Sequence, residues 1–218
     1  THRGPDDEGI MLSHSNCIGL GHRRLSIIDL SQAGHQPMSN EDGTIWIVLN
    51  GEIYNFLELK EALKKKGHRF KSHADTEVVL HLYEDKGVEC LEDLRGPFAF
   101  AIWDDRKKLL FATRDRVGKK PLYYYYRNQT LIFGSEIKAI LQDPDVSREV
   151  NRPAITDYLS YGYTPTPETM FKGIAKLPPG HFLIYQNGNI KIEKYWELDF
   201  SKKLKLSEKE YCDRTMDL

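Results

Sequence analysis

The hydrophobic pattern changes period at residue 50. Residues 45–49 form an unbroken apolar run, Ile45-Trp46-Ile47-Val48-Leu49, which predicts a buried strand. From Phe56 to Lys66, Leu57, Leu59 and Leu63 are interleaved with Glu58, Lys60, Glu61, Lys64 and Lys65, the spacing of an amphipathic helix. A second helix is expected over 76–86. Gly67 and Gly87 stand where C-caps belong, and Asp75 stands where an N-cap belongs. Asn55 and Glu58 have capping-box spacing, with Asn in place of Ser or Thr. Residues 24–30 read as another strand. Beyond Pro97 the pattern becomes β-rich. Runs 98–103 with 109–114, 122–126 with 131–133, and 181–185 with 190–195 predict three hairpins, the last through Asn187-Gly188. Short helices at 135–141 and 153–161 interrupt them. Antiparallel hairpins with few intervening helices predict an α+β fold rather than a doubly wound parallel sheet.

Composition narrows the function classes. A chain of 218 residues with 40% hydrophobic content can build one substantial core. Its 31 basic and 32 acidic residues leave a net charge of −1, which gives no support for a nucleic-acid or membrane-surface partner. No run approaches the ~18 apolar residues of a membrane span. Cys17, Cys90 and Cys212 are odd in number and widely spaced, so neither a disulfide framework nor a zinc site is expected, no metal ligands are assigned, and a cytoplasmic location is expected. Residues 1–200 read as one domain. Residues 201–218, rich in Lys and Glu, read as a linker entering a helix.

Three positions carry candidate chemistry. Asn50 and Gly51 end a strand just before a helix, a junction that can present a side-chain amide and a backbone N–H together, as an oxyanion requires. Asn-Gly alone is more often a hairpin turn, but the segment that follows here is helical. Arg24 offers a guanidinium fork suited to a carboxylate. Neighbouring side chains on a strand face opposite ways, so only one of Arg23 and Arg24 can face a site. Asp75 offers a carboxylate on a helix start. Without context, Arg24 reads as a surface charge and Asp75 as a plain cap.

The context is a series of blocks. They are Arg3-Gly4-Pro5-Asp6, then 21–30 (Gly-His-Arg-Arg-Leu-Ser-Ile-Ile-Asp-Leu), Gly34-His35-Gln36-Pro37-Met38, and Asn50-Gly51-Glu52-Ile53-Tyr54-Asn55. Asp75-Thr76-Glu77, Gly96-Pro97-Phe98, Arg114-Asp115-Arg116-Val117-Gly118 and Phe133-Gly134-Ser135-Glu136 follow. In this order they resemble the glutaminase domain of class II glutamine amidotransferases, nearest to the glutamine-hydrolysing asparagine synthetases. The resemblance covers the chain from Thr1 to about Phe200. It implies a four-layer αββα sandwich of two antiparallel sheets, the N-terminal-nucleophile hydrolase fold. It implies that Asn50 (side chain) and Gly51 (N–H) form the oxyanion hole. Arg24 would hold glutamine's α-carboxylate and Asp75 its α-ammonium, with Glu52 and a backbone carbonyl of Ile27 assisting. The Arg3–Asp6 and Arg114–Gly118 segments are expected to be structural, and so are His22 and His35.

The family's nucleophile is an N-terminal cysteine. The sequence opens at Thr1, already in the first block, so that cysteine is expected upstream, and the 218-residue chain alone is expected to be inactive. A synthetase domain of the same chain, using ATP and Mg2+, is expected as partner, and a homodimer is left open. No cofactor is expected within this domain. Two other readings remain: an amidotransferase with a different acceptor acid, and a non-catalytic binding or regulatory module of the same fold.

Overall fold

A computed structural model of the chain describes residues 2–13, 17–201 and 203–217. Its centre is a six-stranded antiparallel sheet in the order β11-β10-β6-β5-β4-β3. These strands are β3 (Met38–Ser39), β4 (Ile45–Gly51), β5 (Phe98–Asp104), β6 (Leu109–Arg114), β10 (His181–Gln186) and β11 (Asn189–Lys194). A second layer holds two separate ladders. One pairs β1 (Asp7–Leu12) with β2 (Gly19–Arg24); the other has the order β8-β7-β9, from β7 (Tyr123–Arg127), β8 (Thr130–Gly134) and β9 (Ile174–Lys176).

The apolar run of β4 is divided between two cores. Ile45, Ile47 and Leu49 pack with α1 (Phe56–Lys65) and α2 (Asp75–Lys86), whereas Val48 and Trp46 face the second sheet layer. β5 follows the same alternation: Phe98, Phe100 and Ile102 face the helices, and Ala99, Ala101 and Trp103 face the other sheet. Large rings therefore fill the helix side, while Ala99, Ala101 and Ala112 let the second sheet approach closely. A third cluster, with Tyr125, Ile140, Val146 and Ile174, packs α3 (Ile137–Ile140) on the outside of β7 and β9. The α+β, four-layer αββα arrangement holds.

Phe111 is fully buried where Tyr83, Phe100 and Phe182 meet, with ring centroids 5.6–5.8 Å apart. Phe111→Ala is expected to destabilise the fold by about 3–5 kcal/mol, checked by urea unfolding with the denaturant slope unchanged.

All three hairpins form close to the expected bounds. Four local expectations are corrected. Residues 25–30 are a loop, and only Arg24 belongs to a strand, as the last residue of β2. Ala74, not Asp75, is the N-cap of α2, and Asp75 is its first helical residue. Asn55 makes no capping bond; its amide instead donates to the Asp93 carbonyl and its oxygen accepts from the Arg95 N–H, tying α1 to that loop. Leu57 is exposed, whereas Lys60 is buried, its ammonium donating to the Ser72 carbonyl and lying over the Phe70 ring. Strand β1 carried no sequence expectation. α4 (Arg152–Tyr161) buries only Ala154, and α5 (Glu208–Met216), within the expected 201–218 tail, buries nothing. Among the described residues no helix is long and apolar enough to cross a membrane.

Candidate active site

Asn50 and Gly51 close β4 in mid-sheet, opposite Ala99 and Phe98 of β5. Glu52 donates its N–H to the Pro97 carbonyl at 3.0 Å. Since hydrogen-bonded and non-bonded pairs alternate along an antiparallel ladder, the Gly51 N–H turns away from β5. On that side β3 reaches only as far as Ile47, so no strand covers Gly51. The Asn50 side chain is half-buried and makes no hydrogen bond with the described residues. Gly51 has φ +147, and a Cβ there would collide with the Pro97 carbonyl, so glycine is required. The strand end thus offers two adjacent donors without partners among the described residues.

Arg24 lies on the inner face of β2 and is buried. Its neighbour Arg23 points outward, paired with Glu8, as the strand alternation requires. The Arg24 guanidinium donates to the carbonyls of Asp29 and Ser31, and Gly34 leaves it room. Two of its five N–H groups serve the loop, which leaves three for a ligand. A cavity of about 330 Å³ opens beside it, with Asp6, Asp7, Ser26 and Ser31 among its walls.

Asp75 is buried and accepts the Ile53 N–H at 2.8 Å. Burial, and secondarily the Glu52 charge, raise its pKa above the ordinary aspartate value, despite bonds from Ile53 and Thr76 that act the other way. Glu52 is thus an electrostatic neighbour of Asp75. A buried carboxylate pushed toward protonation gains most from a cationic partner. Binding of an ammonium group here should therefore weaken as pH falls through a pKa higher than 3.8, with proton uptake by Asp75; Asp75→Asn should abolish that dependence in a calorimetric pH series.

Hydrogen bonds join these positions into one ring. The Asp29 carboxylate accepts from the His73 N–H at 2.8 Å, linking the Arg24 loop to the approach of Asp75. Gln36 accepts the Leu49 N–H at 2.7 Å and donates to Thr76 Oγ1 at 3.2 Å, linking β4 to α2. His22 reaches the Leu49 carbonyl at 3.0 Å, linking β2 to β4. Asp29, Gln36 and His22 were assigned no role in the pocket from sequence. Their signal was there, inside the ordered blocks, but each acts on an element distant along the chain. Ser31 and His73 hold the Asp29 pKa down to about 2. This group's stabilisation is present above pH 3.8 and is lost as pH falls from 3.8 through 2. Acid unfolding of Asp29→Asn should lack that limb.

Asn50, Gly51, Glu52, Arg24 and Asp75 are therefore tied together. Ile27 is not: it lies in the 25–30 loop, 59% exposed, and its carbonyl makes no bond with the described residues. Asp6 holds the Ser26 N–H at 2.8 Å, and Gly4 packs on the Arg23 backbone. Arg114 donates to three carbonyls of its own surroundings, those of Gly118, Lys120 and Leu177. Both segments make contacts within the protein, and Asp6 also lines the cavity beside Arg24. Cys90 is buried in the helix-side core, which pushes its thiol up to about 12 and leaves it unreactive; Cys17 and Cys212 are exposed.

The sequence profile of the glutamine amidotransferase domain matches residues 1–196. The chain belongs to this family. The amidotransferase domain is 40% identical over 203 residues to "Asparagine synthetase [glutamine-hydrolyzing] 3" of Bacillus subtilis, covering 92% of this chain and 33% of that protein. It is 42% identical over 217 residues to "Putative asparagine synthetase [glutamine-hydrolyzing] 2" of Methanocaldococcus jannaschii, covering 90% of this chain and 42% of that one. The domain thus spans well under two thirds of the length of these relatives. Glutamine phosphoribosylpyrophosphate amidotransferase from B. subtilis shares the fold, with a TM-score of 0.57 at 23% identity over 82% of this chain and 35% of that chain.

Proposed function

We propose that this amidotransferase domain binds glutamine and hydrolyses its side-chain amide within a glutamine-dependent asparagine synthetase. The observation that carries the reading is the ring itself. It holds a buried cation (Arg24), a buried anion (Asp75) and two donors (Asn50 and Gly51) without partners among the described residues, on neighbouring elements. A free amino acid has that charge pattern, with an amide carbonyl a few bonds away.

In this reading Arg24 pairs with the α-carboxylate through its remaining fork, and Asp75 with the α-ammonium. Glu52 adds negative charge at the amino-acid end, and Ile27 contributes its backbone carbonyl to the substrate. The substrate amide carbonyl lies against Asn50 and the Gly51 N–H. When a thiolate adds to that carbon, charge develops on its oxygen, and these donors meet it without reorganising. Ammonia leaves with a proton, and water releases glutamate from the thioester. The nucleophile is assigned by family resemblance to an N-terminal cysteine, a residue that none of the three cysteines here replaces. ATP and Mg2+ belong, in this proposal, to a synthetase domain that amidates aspartate, and the whole acts in the cytoplasm.

The test compares the 218-residue chain with the same chain extended at its N-terminus by a segment that begins with cysteine. The expected result is glutamate release only from the latter, and asparagine formation from aspartate, ATP and glutamine by the complete protein. No hydrolysis by the cysteine-bearing protein would overturn the glutaminase reading. Hydrolysis with an acceptor other than aspartate would overturn the synthetase assignment alone.

A further inference from the structure

The loop after α1 brings His68 against His81 and Glu84, which lie one turn apart on α2. His68 Nδ1 is 3.3 Å from His81 Nδ1, and His81 Nδ1 is 2.9 Å from Glu84 Oε2. One atom from each residue falls within a span of 4.8 Å. A single proton on His81 Nδ1 can point straight at only one of its two neighbours, so three electron-pair donors converge where one hydrogen bond fits. A tetrahedral zinc ion, with ligands at about 2.0–2.2 Å, places its ligand atoms about 3.3–3.6 Å apart; the His68–His81 and His81–Glu84 pairs stand at 3.3 and 2.9 Å, and the set as a whole closes in from its 4.8 Å span to hold an ion.

The surroundings are also built for a ligand set. The other ring nitrogen of His81 faces the Glu77 carboxylate at 3.9 Å. Glu77 is itself fixed by the N–H groups of Lys71 and Ser72 and by the Ser72 hydroxyl, at 2.6–2.8 Å. The second oxygen of Glu84 accepts from Asn40 at 2.7 Å. A carboxylate behind a ligating histidine is the usual outer support of such sites. His81 is 2% exposed and packed edge-on by Phe70, whereas His68 is partly exposed and leaves one side of the cluster open.

We propose that His68, His81 and Glu84 form a binding site for a zinc-class divalent cation, with an open fourth position. Two imidazoles and one carboxylate favour zinc over magnesium or calcium, which prefer all-oxygen shells. The site shares no residue with the glutamine ring and stands independently of the glutaminase reading. An ion here would pin the end of α1 to α2.

Cys17 and Cys212 are exposed and able to capture zinc themselves, so both are replaced by serine in every protein tested. His81 is kept, since its removal would leave Glu77 and Glu84 facing each other as poorly compensated charges. The chelator-stripped chain is titrated with zinc by calorimetry and with cobalt(II) by visible absorption, and its melting temperature is followed. The expected result is one zinc per chain at micromolar affinity or tighter, tetrahedral cobalt bands, and a raised melting temperature. His68→Ala, with an unchanged circular dichroism spectrum, should weaken zinc by about a hundredfold or more and lose the cobalt bands, and Glu84→Gln should follow it. No one-to-one binding by the parent, or equal binding by both variants, would overturn the proposal.

Discussion

Replacing Asn50 by alanine in the cysteine-bearing protein is expected to lower kcat for glutamine hydrolysis by about 100- to 1,000-fold, with KM almost unchanged. Asn50 holds nothing else in place: its side chain makes no hydrogen bond with the described residues, and the ladder beneath it is backbone only. The loss should therefore fall on the transition state, where charge reaches the carbonyl oxygen, and not on stability. Thermal unfolding of the variant should stay close to the parent. An equal rise in KM, or a large fall in melting temperature, would show that Asn50 serves the ground state or the fold. Activity with free ammonia in place of glutamine should be untouched, which separates the glutaminase step from everything downstream.

Arg24→Lys is expected to raise KM for glutamine by about 10- to 150-fold with a modest change in kcat. The ammonium keeps the charge but loses the planar fork, and one bond to a charged group is worth about 1.5–3 kcal/mol. Binding of the α-carboxylate is the same in ground and transition states, so the effect belongs in KM. Arg24 also holds the Asp29 and Ser31 carbonyls, and lysine's three donors can keep one or both. Arg24→Ala would mix the two roles, and lysine is the cleaner probe. A lysine variant with unchanged KM would remove Arg24 from the substrate.

The segments easiest to read from sequence were those whose neighbours are close along the chain. The hairpins at 98–114 and 181–194 show their pairing by alternation and turn residues, and the structure keeps it. Residues 25–30 misled because Leu25, Ile27, Ile28 and Leu30 look like a strand. No partner strand receives them, and Leu25, Ile27 and Leu30 are largely exposed. Their loop is instead set by Arg24 and Asp29, polar contacts that a hydrophobic pattern does not record. Asp75 was legible as a charge on a helix start, yet its buried bond to Ile53 was not, since it spans 22 residues. Gln36 joins positions 49 and 76 through one amide; nothing in its own neighbourhood marks it for that task.

The central sheet has every residue of β5 buried, and it ends in two margins. One is β3, only two residues long. The other is β11, where Lys191, Glu193 and Lys194 crowd a six-residue strand. Short length at one margin and alternating charge at the other deny a second chain a template for adding strands. Both margins of the six-stranded sheet are thus guarded against strand addition by another chain.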